Sequence, residues 1–107
     1  MNCKTESKID KLDFILESEK TIHKIADSIE DADIDGMIDI DLNDATLILG
    51  TAKGVFVINR QSIAKEIWLS SPISGPYHFA YKEGFWLSRS GVELFDILTK
   101  ELQVEFL

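Results

Sequence analysis

The sequence Ile38-Asp-Ile-Asp-Leu-Asn-Asp-Ala-Thr-Leu-Ile-Leu49 indicates that the chain contains a β-sheet. Apolar residues at 38, 40 and 42 alternate with Asp39 and Asp41, and this period of two indicates a strand with one buried and one solvated face. The Asn-Asp pair at 43–44 is a turn signal, and the apolar run at 46–49 has the length of a second strand. The chain therefore forms a β-hairpin here.

The apolar residues at the two ends of the chain predict helices. Over about residues 7–30 they recur at three- and four-residue spacings, at Leu12, Ile15, Ile22, Ile25, Ala26 and Ile29. A capping box of Ser90 and Glu93 precedes the second helix, whose apolar stripe is Leu94, Leu98 and Leu102. Each helix therefore has one apolar face.

Between the helices, short strand-like runs alternate with turn signals. Further strands are predicted at residues 55–59, 66–70, 77–81 and 85–88, and the loop 71–76 is predicted to lie outside them because each of its two prolines lacks an amide hydrogen. Short connections imply antiparallel pairing, and two helices with one apolar face each cover one sheet face. The predicted fold class is α+β: a two-layer α/β sandwich with the N- and C-terminal helices on one face of an antiparallel sheet of about six strands, in a single domain over residues 1–107.

The charge of the chain is concentrated in its first part. The 107 residues carry 19 acidic and 11 basic side chains, and residues 1–44 contain 13 of the acidic and 5 of the basic ones. From Asp27 to Asp44 there are eight carboxylates and no Lys or Arg. Because phosphate contacts need cationic side chains, nucleic acid is a poor partner, whereas cations or a basic protein surface are suitable ones.

The acidic segment contains the candidate metal ligands, which we call the acidic ridge: Asp27, Glu30, Asp31, Asp33, Asp35, Asp39 and Asp41. Carboxylate oxygens are hard ligands that suit iron, manganese, calcium or magnesium better than zinc or copper(I). Without a preformed cage, weak and unselective binding is expected. The alternative interpretation is a solvated acidic face that only keeps the protein in solution.

An EF-hand pattern competes with this interpretation. Residues 31–39 match the first nine positions of the calcium loop, including the glycine at position six, which is Gly36. Position twelve, however, is Leu42 instead of the bidentate glutamate, and the sequence that follows alternates as a strand does. A true EF-hand needs a helix at that point.

One tryptophan is a candidate docking anchor. Ile67 and Leu69 point to one side of their strand and Trp68 to the other. If the aliphatic pair faces the helices, Trp68 stands on the open sheet face, where an exposed tryptophan is a favoured interface anchor. The alternative is that Trp68 belongs to the core and that Trp86 is the exposed tryptophan.

No catalytic residue is assigned, because no P-loop, dinucleotide fingerprint or GxSxG motif occurs. No apolar run has the length of a transmembrane helix, and the N-terminus has the features of neither a signal peptide nor a transit peptide. Cys3 is the one cysteine, so an intramolecular disulfide is impossible and a reducing compartment fits. We expect a cytoplasmic protein.

The central part of the sequence resembles the frataxin family. The motifs that carry the resemblance are INRQ at 58–61, IWLSSP at 67–72 and SGP at 74–76, and the likeness extends from about residue 12 to 103. YHF at 77–79 and RSG at 89–91 look like the bacterial, CyaY-type branch, whereas the loop 71–76 is closer to the mitochondrial branch. Two residues depart from the pattern: Met37 stands where relatives often have an acid, and His78 replaces an arginine of the mitochondrial branch.

The resemblance implies a function and partners as well as the fold above. It implies weak binding of ferrous and ferric iron along the acidic ridge, and a role in iron–sulfur cluster assembly as a regulator or iron donor. The partners it implies are the cysteine desulfurase and the scaffold protein, with contacts at Asn59, Gln61 and Trp68. We expect a bacterial monomer that forms oligomers only with iron.

Two other functions remain open at this level. Iron storage with ferroxidase activity is the first, and oxygen consumption during iron addition would separate it from a non-enzymatic role. A calcium-binding module is the second, and metal preference would identify it.

Overall fold

The computed structural model describes residues 9–106, which contain two helices and six strands. In chain order these are α1 (Lys11–Ala32), β1 (Asp39–Asn43), β2 (Thr46–Thr51), β3 (Gly54–Gln61), β4 (Glu66–Ser71), β5 (Gly75–Lys82), β6 (Phe85–Leu87) and α2 (Leu94–Leu102). Cys3 lies outside the described residues. None of the described helices is both long and apolar enough to cross a bilayer.

The six strands form one antiparallel sheet in which the spatial order follows the chain order, β1 to β6. Each strand pairs with its sequence neighbours because the connections are short turns. Several of these turns contain residues with positive φ, among them Asp44, Lys65 and Glu83-Gly84. β1 and β6 are the edge strands.

Both helices pack on one face of the sheet, which confirms the predicted fold class. One hydrophobic cluster joins the layers, and its fully buried members include Phe14, Ile25 and Ile29 from α1 and Leu94 and Leu98 from α2. The sheet contributes Leu47, Leu49, Phe56, Ile58, Ile67, Leu69, Phe79 and Trp86. Burying each such side chain contributes about 1.5–3 kcal/mol, so this cluster is the main source of stability.

The apolar stripe of α1 differs from the prediction at its start. Leu12 is 70% exposed, and Phe14 is fully buried against Trp86, with the ring centroids 6.0 Å apart. Residues 14, 18, 22, 25 and 29 keep the spacing of one face, whereas Leu12 lies about 200° around the helix from Phe14 at 100° per residue. The prediction for Leu12 was wrong because the buried face of α1 is the one that contains Phe14, and Leu12 lies on the opposite side.

The predicted capping box is also wrong. The N-cap of α2 is Glu93, whose side chain accepts a hydrogen bond from the Asp96 amide at 3.0 Å. The Ser90 hydroxyl instead lies 3.1 Å from that of Ser88, in the turn before the helix. A turn at residues 89–90 returns the chain so that Glu93, in an extended conformation, bridges Leu87, and helical geometry therefore starts three residues later than predicted.

The loop 71–76 is more regular than predicted and is linked to α2. Pro76 is the second residue of β5, opposite Ser70 near the end of the ladder, where a missing amide is tolerated. The Ser71 and Ser74 hydroxyls donate to the buried Glu101 carboxylate of α2 at 2.6 and 2.5 Å. These two serines of the frataxin-like motif therefore connect the sheet to the second helix.

Candidate functional site

The acidic ridge runs from the end of α1 to the outer face of β1. Asp27, Glu30 and Asp31 are exposed on the last turns of α1, and Asp35 is exposed in the connection that follows. The last turn of α1 contains no basic residue. Because the C-terminal end of a helix has a partial negative charge, these carboxylates add to a negative potential that no neighbouring cation of the helix end relieves.

Asp33 differs from the other members of the ridge because both of its oxygens hold the backbone. The Met37 amide donates to Oδ1 and the Ile38 amide to Oδ2, each at 2.8 Å. The side chain is half-buried, and the residue is the C-cap of α1. Asp33 therefore shapes the connection into β1, and any metal ion would share oxygens that are already engaged.

Asp39 and Asp41 extend the ridge onto the open sheet face. They alternate with the inward-facing Ile40, and both are exposed, about 7 Å apart along the strand. Asp39 is the cross-strand partner of Gly50 on β2, and a Cβ placed on this glycine would be 3.5 Å from the Asp39 Cβ. Carboxylates along an edge strand also discourage pairing with another chain.

The acidic ridge supplies oxygen ligands for a hard metal ion, but these ligands do not form a preformed cage. Among the described residues, no three carboxylate, imidazole or thiolate side chains converge on a common point. Exposed carboxylate oxygens are hard ligands that suit iron, manganese, calcium or magnesium, and here they are spread along the ridge and not gathered at one point. The EF-hand interpretation is wrong, because strand β1 follows the loop where a helix is required and Asp33 engages backbone amides.

The open face of the sheet brings the three predicted partner contacts together. Asn59 on β3 lies directly opposite Trp68 on β4, and Gln61 lies opposite Glu66. Trp68 is half-buried on this face, while Trp86 is 2% exposed in the core. The structure thus decides between the two tryptophans in favour of Trp68 on the open face.

Two further residues contact Trp68, and sequence reasoning missed both. The indole Nε1 donates to Glu66 Oε1 at 2.8 Å, and the His78 ring stacks on the indole at 4.1 Å between centroids with 9° between planes. The period of two places residues 66, 68 and 78 on one face, but only the register shows that His78 lies opposite Trp68.

The ridge and the tryptophan share one continuous surface. Asn43, Thr46, Asn59, Trp68 and His78 form a row across β1 to β5. Three strand spacings separate the β1 edge from Trp68, which is about 14 Å. A single protein partner can therefore contact the charged edge and the aromatic residue at once.

Comparisons with known proteins agree with this geometry. The family model described as "Frataxin-like domain" matches residues 7–106. A mitochondrial frataxin homologue of Saccharomyces cerevisiae is 39% identical over 92 residues, covering 81% of this chain and 53% of the relative. One from Schizosaccharomyces pombe is 48% identical over 64 residues, 57% of this chain and 40% of the relative. The chain thus spans about half the length of these relatives.

Solved structures show the same fold. Frataxin from Psychromonas ingrahamii superposes with a TM-score of 0.80 at 26% identity, covering 92% of this chain and 99% of that one. Trimeric yeast frataxin, described as complexed with ferrous iron, gives 0.75 at 33% identity, covering 94% and 89%.

The fold is a two-layer sandwich of two helices on an antiparallel sheet, with an acidic edge and an open face that presents an aromatic residue. The chain belongs to the frataxin family.

Proposed function

We propose that this protein binds ferrous and ferric iron weakly along the acidic ridge and serves iron–sulfur cluster assembly as a regulator or iron donor. The observation that supports the proposal is a frataxin-family chain in which six of the seven ridge residues lie exposed along one edge, with no Lys or Arg from Asp27 to Asp44. A cation bound there offsets both the mutual repulsion of the carboxylates and the negative end of α1.

Iron is favoured over softer metals by the ligand set and by a relative. The ridge supplies oxygen donors only, and trimeric yeast frataxin has been solved in complex with ferrous iron. Because the donors are spread out, each ion is held by few oxygens and exchanges readily. Such weak binding suits a protein that passes iron on.

The partners that we propose are the cysteine desulfurase and the scaffold protein of cluster assembly. The acidic ridge would steer a basic partner surface over a long range, and Trp68 on the open face would anchor the complex after contact. Asn59 and Gln61 flank this anchor on β3 and supply amide hydrogen-bonding groups.

An iron titration followed by NMR tests the metal proposal. Ferrous iron is added under anaerobic conditions, and we expect amide signals to broaden at Asp27–Asp41, with the double variant Asp31→Asn/Asp35→Asn weakening the effect by degrees. Asp13→Asn is the matched control, because Asp13 is an exposed aspartate in the first turn of α1. No selective broadening at Asp27–Asp41 in the wild type, or the same weakening in Asp13→Asn as in the double variant, would refute iron binding at the ridge.

The family branch, the cellular location and the oligomeric state can also be proposed. We propose membership of the bacterial, CyaY-type branch on the motifs at 77–79 and 89–91, and with it a cytoplasmic location, although the two curated relatives are described as mitochondrial.

We also propose a monomer that forms oligomers when iron is added. The trimeric state of the solved yeast frataxin supports oligomers within the family, and sedimentation with and without ferrous iron tests this proposal.

A further inference from the structure

The Trp68 side chain is held from two directions although it lies on a solvent-facing surface. His78 covers one face of the indole in a nearly parallel stack, and Glu66 fixes the ring edge through the hydrogen bond from Nε1. The two contacts come from different strands: Glu66 is two residues before Trp68 on β4, and His78 is directly opposite on β5. Together they restrict both side-chain torsions of Trp68.

This restriction matters for binding because a free side chain loses rotational freedom when it docks. Immobilising one such side chain at an interface has an entropic cost, and a residue already fixed in its docking orientation avoids that loss. The stacked rings also attract each other at this separation, which favours the ordered position of the indole.

We infer that His78 and Glu66 are positioning residues, which hold Trp68 in its docking orientation before a partner arrives. The inference rests on the proposed function, in which Trp68 contacts the cysteine desulfurase. Neither residue needs to touch the partner for this effect. Their contribution is to order a side chain that an open sheet face leaves otherwise unsupported.

The order of the indole can be measured in the free protein. The two tryptophans give two indole Nε1–H signals, and that of Trp86, which donates to Thr21 Oγ1 in the core at 2.9 Å, is an internal control. We expect His78→Ala to lower the order parameter of the Trp68 signal from about 0.85 to below about 0.6, without a change at Trp86. His78→Phe keeps a planar ring on the indole and should restore the order.

The dissociation rate from the desulfurase gives the functional readout. We expect His78→Ala and Glu66→Ala each to speed dissociation about threefold to tenfold, with His78→Phe and Glu66→Gln within about twofold of the wild type. If His78→Ala and His78→Phe behave alike in both measurements, the stack has no positioning role and the inference is overturned. If Trp68→Ala itself leaves the dissociation rate unchanged, the proposed docking face fails, and this inference fails with it.

Discussion

Asp33 should respond to substitution in the opposite direction from its neighbours in the acidic ridge. Its two oxygens each accept a backbone amide at 2.8 Å, whereas Asp35 is exposed and accepts no hydrogen bond of this kind among the described contacts. Replacing Asp33 with alanine leaves the amides of Met37 and Ile38 without these acceptors. Replacing Asp35 only removes a like charge.

The expected magnitude follows from the two lost bonds. A hydrogen bond from a backbone amide contributes about 1 kcal/mol, so the two bonds to Asp33 are worth about 2 kcal/mol at this half-buried position. Relief of repulsion returns a few tenths of a kcal/mol. The net loss of about 1.5 kcal/mol lowers the melting temperature by roughly 6–12 °C in a domain of this size.

Thermal and urea unfolding of three variants tests this reasoning. Asp33→Ala should show the full loss, Asp33→Asn a smaller one because the amide oxygen still accepts a hydrogen bond, and Asp35→Ala a change within about 0.5 kcal/mol. Equal stability of Asp33→Ala and Asp35→Ala would refute the division of the ridge into one structural carboxylate and several free ones.

Three further predictions concern the same fold. Raising the salt concentration from about 0.01 to 0.15 M shortens the screening length from about 30 to 8 Å and should raise the melting temperature by screening the ridge; a flat response would contradict its destabilising repulsion. Glu101→Ala should lower the free energy of unfolding in urea by about 3 kcal/mol, because two serine hydroxyls lose their charged acceptor. Glu101→Gln should lower it less, and equal losses would contradict the role of the Glu101 oxygens as acceptors. Gly54→Ala should lower the free energy of unfolding by about 2–3 kcal/mol in the same assay, because a Cβ there would lie 2.6 Å from the Pro72 Cβ. Gly36→Ala, where a Cβ would have nothing within 4 Å, should lower it by about 1 kcal/mol. Equal losses would contradict the close packing at Gly54.

The alternation of residues along the strands made the fold and the main surfaces predictable. Ile67 and Leu69 are 0% and 1% exposed, so the period of two correctly placed Trp68 on the opposite face. The same rule placed Asp39 and Asp41 outward on β1. These predictions succeeded because they depend only on the direction of a side chain relative to its own strand.

Other features depend on contacts that a sequence pattern does not encode. The stack of His78 on Trp68 requires the register between β4 and β5, which the geometry of their connection determines. The two hydrogen bonds to Asp33 depend on the path of the chain from residue 33 to residue 38. A sequence pattern does not encode this path, so Asp33 was predicted only as one of seven similar carboxylates. The capping prediction at Ser90 failed because the bridge at Glu93 delays the start of α2.

Binding kinetics on an immobilised cysteine desulfurase test whether the acidic ridge and Trp68 form one docking surface. Surface plasmon resonance at two salt concentrations measures association and dissociation separately. We expect charge reversal at Glu30, Asp31 and Asp35 to slow association and to flatten its salt dependence. We expect Trp68→Ala to leave association nearly unchanged and to speed dissociation about thirtyfold or more. Wild-type kinetics for both variants, with the fold intact, would contradict a shared docking surface.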